Sequence, residues 1–162
     1  MDIDDVAARF ADIARAYCHW AEGAPLSEEA EVATARRCLA HLYAAALDLP
    51  LPECDDVELG EVGGDAWRDV FERFARLPVN YYEVCFDPLL VPPAAPSLGD
   101  LADDLADIWR DVRPGLTLFD AGHTAAAVYE WRLHFNIHWG RHAASALYVL
   151  TCWTSQHGGI SV

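Results

Sequence analysis

The residues most able to do chemistry fall in two stretches. Glu130-Trp131-Arg132-Leu133-His134-Phe135-Asn136-Ile137-His138-Trp139-Gly140-Arg141-His142 concentrates histidine, tryptophan and arginine, with His134, His138 and His142 recurring every four residues. An α-helix advances about 100° and 1.5 Å per residue, so neighbouring histidines of such a row can hold one ion or share a carboxylate. The outer two would stand about 12 Å apart along the axis, too far to ligate one metal together. The second stretch carries Asp100, Asp104, Asp107 and Asp111. At helical spacing these occupy roughly one quadrant beside a leucine stripe, where like charges repel by about 0.2–0.5 kcal/mol per pair. Such a ladder is tolerated when solvated, or when it faces cations or arginines such as Arg110, Arg132 or Arg141.

Metal sites in helical bundles are assembled from facing helices. The ligand or metal candidates are therefore His138 and His142 with Asp104 and Asp107. The Glu-x-x-His spacing of di-iron bundles is missing, because Glu130 and His134 are four residues apart. Trp131, Phe135, Trp139 and Trp153 fall on or near the histidine side, so the row borders the core. Histidines there usually bond a carboxylate or a backbone group. Imidazoles among aromatics can also line a ligand pocket. Trp109, Trp131, Trp139, Arg141, Tyr81 and Tyr82 are the pocket candidates, between the fourth and fifth helices. Gly140 inside a helix costs about 1 kcal/mol relative to alanine, which points to a closely packed backbone there.

The elements that must position these groups are helices. Ile3, Val6, Phe10, Ile13, Tyr17 and Trp20 form one apolar stripe, predicting a helix from Ile3 to about Ala21 that ends before Gly23-Ala24-Pro25. Ser27 is the expected N-cap of a second helix reaching Asp48, with Glu28, Glu29 and Glu31 in its first turn. The short connection makes these two an antiparallel hairpin. Leu49 to Gly64, rich in proline and acid, reads as a loop whose spacing does not fit an EF-hand. Trp67 to Leu77 is a third helix. Val79 to Pro96 is a long aromatic and proline-rich connector, expected to pack over the bundle with a short strand near Tyr81–Phe86. Ser97 is the expected cap of the fourth helix, which Pro114-Gly115 should kink or split. The fifth helix should run from about Thr124 to Trp153, followed by a loose tail at 154–162.

Composition narrows the function classes. The 162 residues are 53% hydrophobic and carry 11 basic against 26 acidic side chains, a formal net charge of −15. That supports one globular domain over 1–162 and opposes binding to nucleic acid or to anionic membrane surfaces. No apolar run is long enough to span a bilayer. The five cysteines (Cys18, Cys38, Cys54, Cys85, Cys152) are widely spaced with no C-x-x-C pair, as in a reduced, cytoplasmic protein. There is no glycine-rich phosphate loop and no G-x-S-x-G.

Tyr81-Tyr82-Glu83-Val84 with Phe86-Asp87-Pro88, Ser97-Leu98 with Asp103-Asp104-Leu105-Ala106-Asp107-Ile108-Trp109-Arg110-Asp111, and Trp131-Arg132 with His138-Trp139-Gly140-Arg141-His142-Ala143 together resemble a family. It is the uncharacterised bacterial family of small soluble proteins known as domain of unknown function 5063. The resemblance covers most of the chain and is strongest from Tyr81 onward. Departures are Pro114 and the connector around Cys85. It implies a mainly helical bacterial protein and transfers no activity. The expected molecule is thus an all-α, single-domain bundle of about five helices with a long connector. Its leading function is a non-catalytic, acidic, cytosolic binding or adaptor module whose fourth and fifth helices form the recognition surface. The expected partner is another protein or a second copy of the chain, and a homodimer would meet at its tryptophan-rich faces. The alternatives are a metal-dependent helical-bundle hydrolase holding a divalent ion, and small-ligand binding between helices four and five.

Overall fold

The computed structural model of the protein describes residues 2–53 and 62–157. Residues 54–61 of the acidic loop expected from Leu49 to Gly64, and the tail beyond residue 157, lie outside the described residues. The architecture is the expected mainly helical single domain: α1 (Ile3–Glu22), α2 (Glu28–Leu47), α3 (Gly64–Phe74), a two-stranded sheet of β1 (Tyr81–Val84) and β2 (Ser97–Asp100), α4 (Leu101–Asp120), α5 (Thr124–His134) and α6 (Gly140–His157). A π-helical turn, Phe135–Trp139, joins α5 to α6. Thr154–His157, expected in the loose tail, continues α6.

The apolar spacing placed the core helix by helix. Phe10, Ala14 and Tyr17 of α1, Ala35, Leu39 and Leu42 of α2, and Leu101, Leu105, Ile108 and Val112 of α4 are fully buried in one cluster. α4 is its centre, packed against α1, α3, α5 and α6. Thirteen of its twenty residues are buried, so even its polar face must lie against other elements.

Three local expectations change. Ser97 does not cap α4; it pairs with Val84 in the antiparallel sheet, and Asp100 is the cap, accepting hydrogen bonds from the Ala102 and Asp103 amides. The connector therefore closes on itself as a hairpin whose second strand runs straight into α4. Pro114 does not split α4, which is continuous from Leu101 to Asp120. Gly115 beside it is the point where the Trp131 indole of α5 lies on the helix, donating a hydrogen bond to the Val112 carbonyl at 3.0 Å. The six tryptophans do not make an exposed seam either. Trp20, Trp109, Trp131 and Trp139 are buried, and Trp67 and Trp153 are half-buried.

A histidine and carboxylate row beside a groove

The carboxylate ladder and the histidine row face each other across α4 and the last two helices. Asp104, Asp107 and Asp111 are 6%, 8% and 8% exposed, so the solvated-face reading of the ladder does not hold. His142 Nδ1 lies 2.6 Å from Asp104 Oδ1, and His138 Nδ1 lies 2.6 Å from Asp111 Oδ2. His134 sits 3.6 Å from Asp111 Oδ1 and 3.3 Å from Glu130 Oε2. Asp107 Oδ1 accepts from Trp67 Nε1 at 2.9 Å and pairs with Arg110 at 3.0 Å. Arg132 and Arg141, the other cations expected opposite the ladder, instead donate to the Ala46 and Ile137 carbonyls.

The π-helical turn brings the row into line. Each four-residue step along an α-helix overshoots a full turn by about 40°, so two steps would carry His142 about 80° away from His134. A π turn absorbs one extra residue, about 100°, and returns His142 to the face that His134 and His138 occupy. The His138 and His142 rings stand 4.7 Å apart, edge to face. Gly140 belongs to this device. Its amide bonds the Phe135 carbonyl five residues back, and a Cβ at 140 would lie 2.5 Å from that oxygen. The close backbone expected at Gly140 is the helix's own, not that of another element.

Pairing sets the charges. The Asp104 hydrogen bond raises the His142 pKa above its ordinary value, outweighing partial burial. His134 is raised likewise, first by Asp111. Burial alone would lift the Asp111 carboxyl, but His134 and His138 outweigh it and hold it low. Burial, then neighbouring Asp107 and Asp104, pushes Asp103 up.

These directions give a pH prediction for His134, which faces Asp111 from α4 and Glu130 from its own helix. A histidine raised in the folded state contributes stability that is fully present below its unfolded pKa, near 6.5, and is lost as pH rises through the folded value. Asp111 is lowered, so its share is present above an unfolded value near 3.9 and is lost as pH falls through the folded one. The pair stabilises most between those limits, in mildly acidic solution. With one-third of the His134 side chain exposed, the effect is under about 1 kcal/mol. In chelator-containing buffer, the gap in melting temperature between the protein and its His134→Gln variant should be wider at pH 6 than at pH 8. An equal gap at both pH values would refute the pairing.

Beside His142 opens a groove of about 430 Å³. One wall is the hairpin and its connector, with Val84, Phe86, Pro88 and Leu98; the floor and far wall are Asp100, Asp103, Asp104, Arg141, His142, Ala144 and Ser145. Tyr82 links the two. It lies opposite Gly99 in the sheet, with its ring over that residue, where a Cβ would collide at 2.5 Å. Its hydroxyl donates to Asp104 Oδ2. Burial and that bond raise its pKa, so it stays a neutral donor.

Of the residues expected at a pocket, Tyr82 and Arg141 line this groove and Tyr81 points to solvent, 66% exposed. The three tryptophans are elsewhere. Trp109 bonds Glu22 of α1, and Trp131 and Trp139 pack on Phe10 in the core. Of the ligand candidates, Asp104 and His142 line the groove, while Asp107 and His138 lie next along the row. Val84, Phe86, Leu98 and Asp103 belong to the family-like motifs but not to the expected site residues. The structural signal for this wall was the short strand expected near Tyr81–Phe86, whose pairing partner lies beyond the prolines.

The family model described as Domain of unknown function (DUF5063) matches residues 1–156. A crystal structure of protein BF1032 from Bacteroides fragilis is similar over 99% of both chains, with a TM-score of 0.79 at 19% identity, a likeness of fold. No curated protein matches the chain. No helix among the described residues is long and apolar enough to cross a membrane.

Proposed function

The chain belongs to the DUF5063 family, and from its geometry we propose a binding domain that takes a small, partly apolar, uncharged or cationic ligand between the hairpin and the α4–α6 face. The observation that carries this is the groove of about 430 Å³, within the ordinary range of ligand sites. Its apolar wall gives up water on binding. Two of its polar groups are held in place, the neutral Tyr82 hydroxyl and His142 both bonding the Asp104 carboxylate, with Asp100, Asp103, Arg141 and Ser145 alongside. A net charge of −15 and a floor of carboxylates repel anions and draw cations. This narrows the expected binding module, whose surface was the fourth and fifth helices, to the groove between the hairpin and the α4–α6 face.

A neutral amphipathic fluorophore, N-phenyl-1-naphthylamine, tests it. Titration in chelator-containing buffer should give saturable, one-to-one fluorescence enhancement. Val84→Arg, which places a charge in the apolar wall, should weaken binding at least tenfold while leaving the circular dichroism spectrum unchanged. Non-saturating binding, or equal affinity in the variant, would refute the groove as a ligand site.

A further inference from the structure

Three side chains of the row bring potential donor atoms together. His138 and His142 each engage a different carboxylate through Nδ1, at 2.6 Å in both cases. That bond fixes the tautomer of the neutral ring and leaves Nε2 as its free lone pair. Asp107 meets Trp67 and Arg110 through Oδ1, while its Oδ2 faces His138 Nε2 at 3.7 Å. A donor atom of each of Asp107, His138 and His142 lies within 4.8 Å of those of the other two, the one such cluster among the described residues.

We propose that Asp107, His138 and His142 bind a divalent first-row transition ion such as zinc through one carboxylate oxygen and the two Nε2 atoms, with Asp104 and Asp111 as the carboxylates that orient the imidazoles. Metal-bound histidines characteristically donate their other ring N–H to a carboxylate, which holds the ring and raises its basicity. Here both rings are so held before any ion arrives. Donors about 2.1 Å from a tetrahedral ion stand roughly 3.4 Å apart, so no edge of the cluster, all within 4.8 Å, has to close by more than about 1.4 Å on binding. The imidazoles have room to make that swing, being 32% and 25% exposed. Two imidazoles and one carboxylate suit zinc or ferrous iron better than calcium or magnesium. Three protein ligands leave at least one position for water. The site differs from the sequence expectation in one respect: Asp104, expected as a ligand, orients His142 in this scheme. Its three ligands are distinct from the groove except for His142, which lines both together with its orienting Asp104.

Zinc added to chelator-stripped protein should bind one-to-one by calorimetry, in the micromolar range or tighter. His138→Ala should lose at least tenfold in affinity. Asp111→Asn, which touches no metal in this scheme, should lose about 10- to 100-fold through the ring it no longer holds. Cys85→Ser, an exposed thiol on the connector that is not one of the three ligands, should bind as the parent does. Cobalt substituted for zinc should give visible d–d absorption that shifts in His138→Ala, a readout that does not depend on affinity. Absence of stoichiometric zinc binding in the unaltered protein would overturn the site. So would equal affinity in His138→Ala, or zinc binding abolished by Cys85→Ser. Because the groove probe is titrated with chelator present, loss of one result leaves the other standing.

Discussion

Glu31→Ala is expected to lower stability by about 3–5 kcal/mol, because it strands a buried cation. The Glu31 and Arg73 side chains are 7% and 9% exposed and meet in a two-bond pair at 2.7 and 3.2 Å. Every other polar atom of the pair is engaged nearby. Trp20 Nε1 donates to Glu31 at 2.8 Å and the Leu26 amide at 2.7 Å, while Arg73 Nε donates to the Gly23 carbonyl. The guanidinium also lies over the Trp20 and Phe74 rings, 5.2 and 4.8 Å from their centroids. The network fastens α3 to the end of α1 and the start of α2. Removing the carboxylate leaves a guanidinium and two N–H groups without acceptors in a dry setting. For a chain of this size the loss corresponds to a fall of roughly 10 °C in melting temperature. Replacing both partners, Glu31→Leu with Arg73→Met, should recover most of it, since no charge is then left unpaired. A double-mutant cycle with coupling below about 1 kcal/mol would show the pair to be incidental.

Gly115→Ala is expected to destabilise by about 3 kcal/mol, the sum of overpacking and a strained buried hydrogen bond. Helix propensity argues the other way, favouring alanine by about 1 kcal/mol in the middle of a helix. Sterics win. A Cβ at 115 would lie 2.3 Å from Trp131 Nε1 and 2.6 Å from Cδ1, and the indole is fully buried with its N–H on the Val112 carbonyl. It cannot retreat, because Phe10 and Phe119 pack on its ring at 4.7 and 6.1 Å. Gly64→Ala at the start of α3 is the internal comparison: a Cβ there meets nothing within 4 Å, so propensity alone acts. Denaturant unfolding should separate the two variants by roughly 3 kcal/mol or more. A Gly115→Ala protein as stable as its parent would show that α4 and α5 are not held at this distance by the glycine.

Helix existence was legible residue by residue. The stripes in Ile3–Trp20, Val32–Ala46 and Leu101–Leu116 are local facts, and the core uses them as read. Glu31 was equally visible but was assigned to the helix dipole, because nothing near it in sequence shows Arg73 forty-two residues on. Pro114-Gly115 looked like a break because proline removes one backbone donor. The helix tolerates that loss, and the glycine serves the neighbouring Trp131. The π turn left only Gly140 as a trace. A period of four suggests alignment over one step but drift over two, and which of these occurs depends on one turn of backbone.

For the candidate site the division is similar. By itself, the sequence determined that Asp104, Asp107 and Asp111 share one helix face and that His134, His138 and His142 recur at one spacing on another, because side-chain direction along a helix follows from position alone. Only the tertiary structure decided that the two rows meet, that each Nδ1 is taken by its own carboxylate, and that a hairpin closing across 12 residues walls off a groove beside His142. Burial of a charge, unlike its place on a helix, depends on what packs opposite it, and those partners lie 27 and 38 residues away.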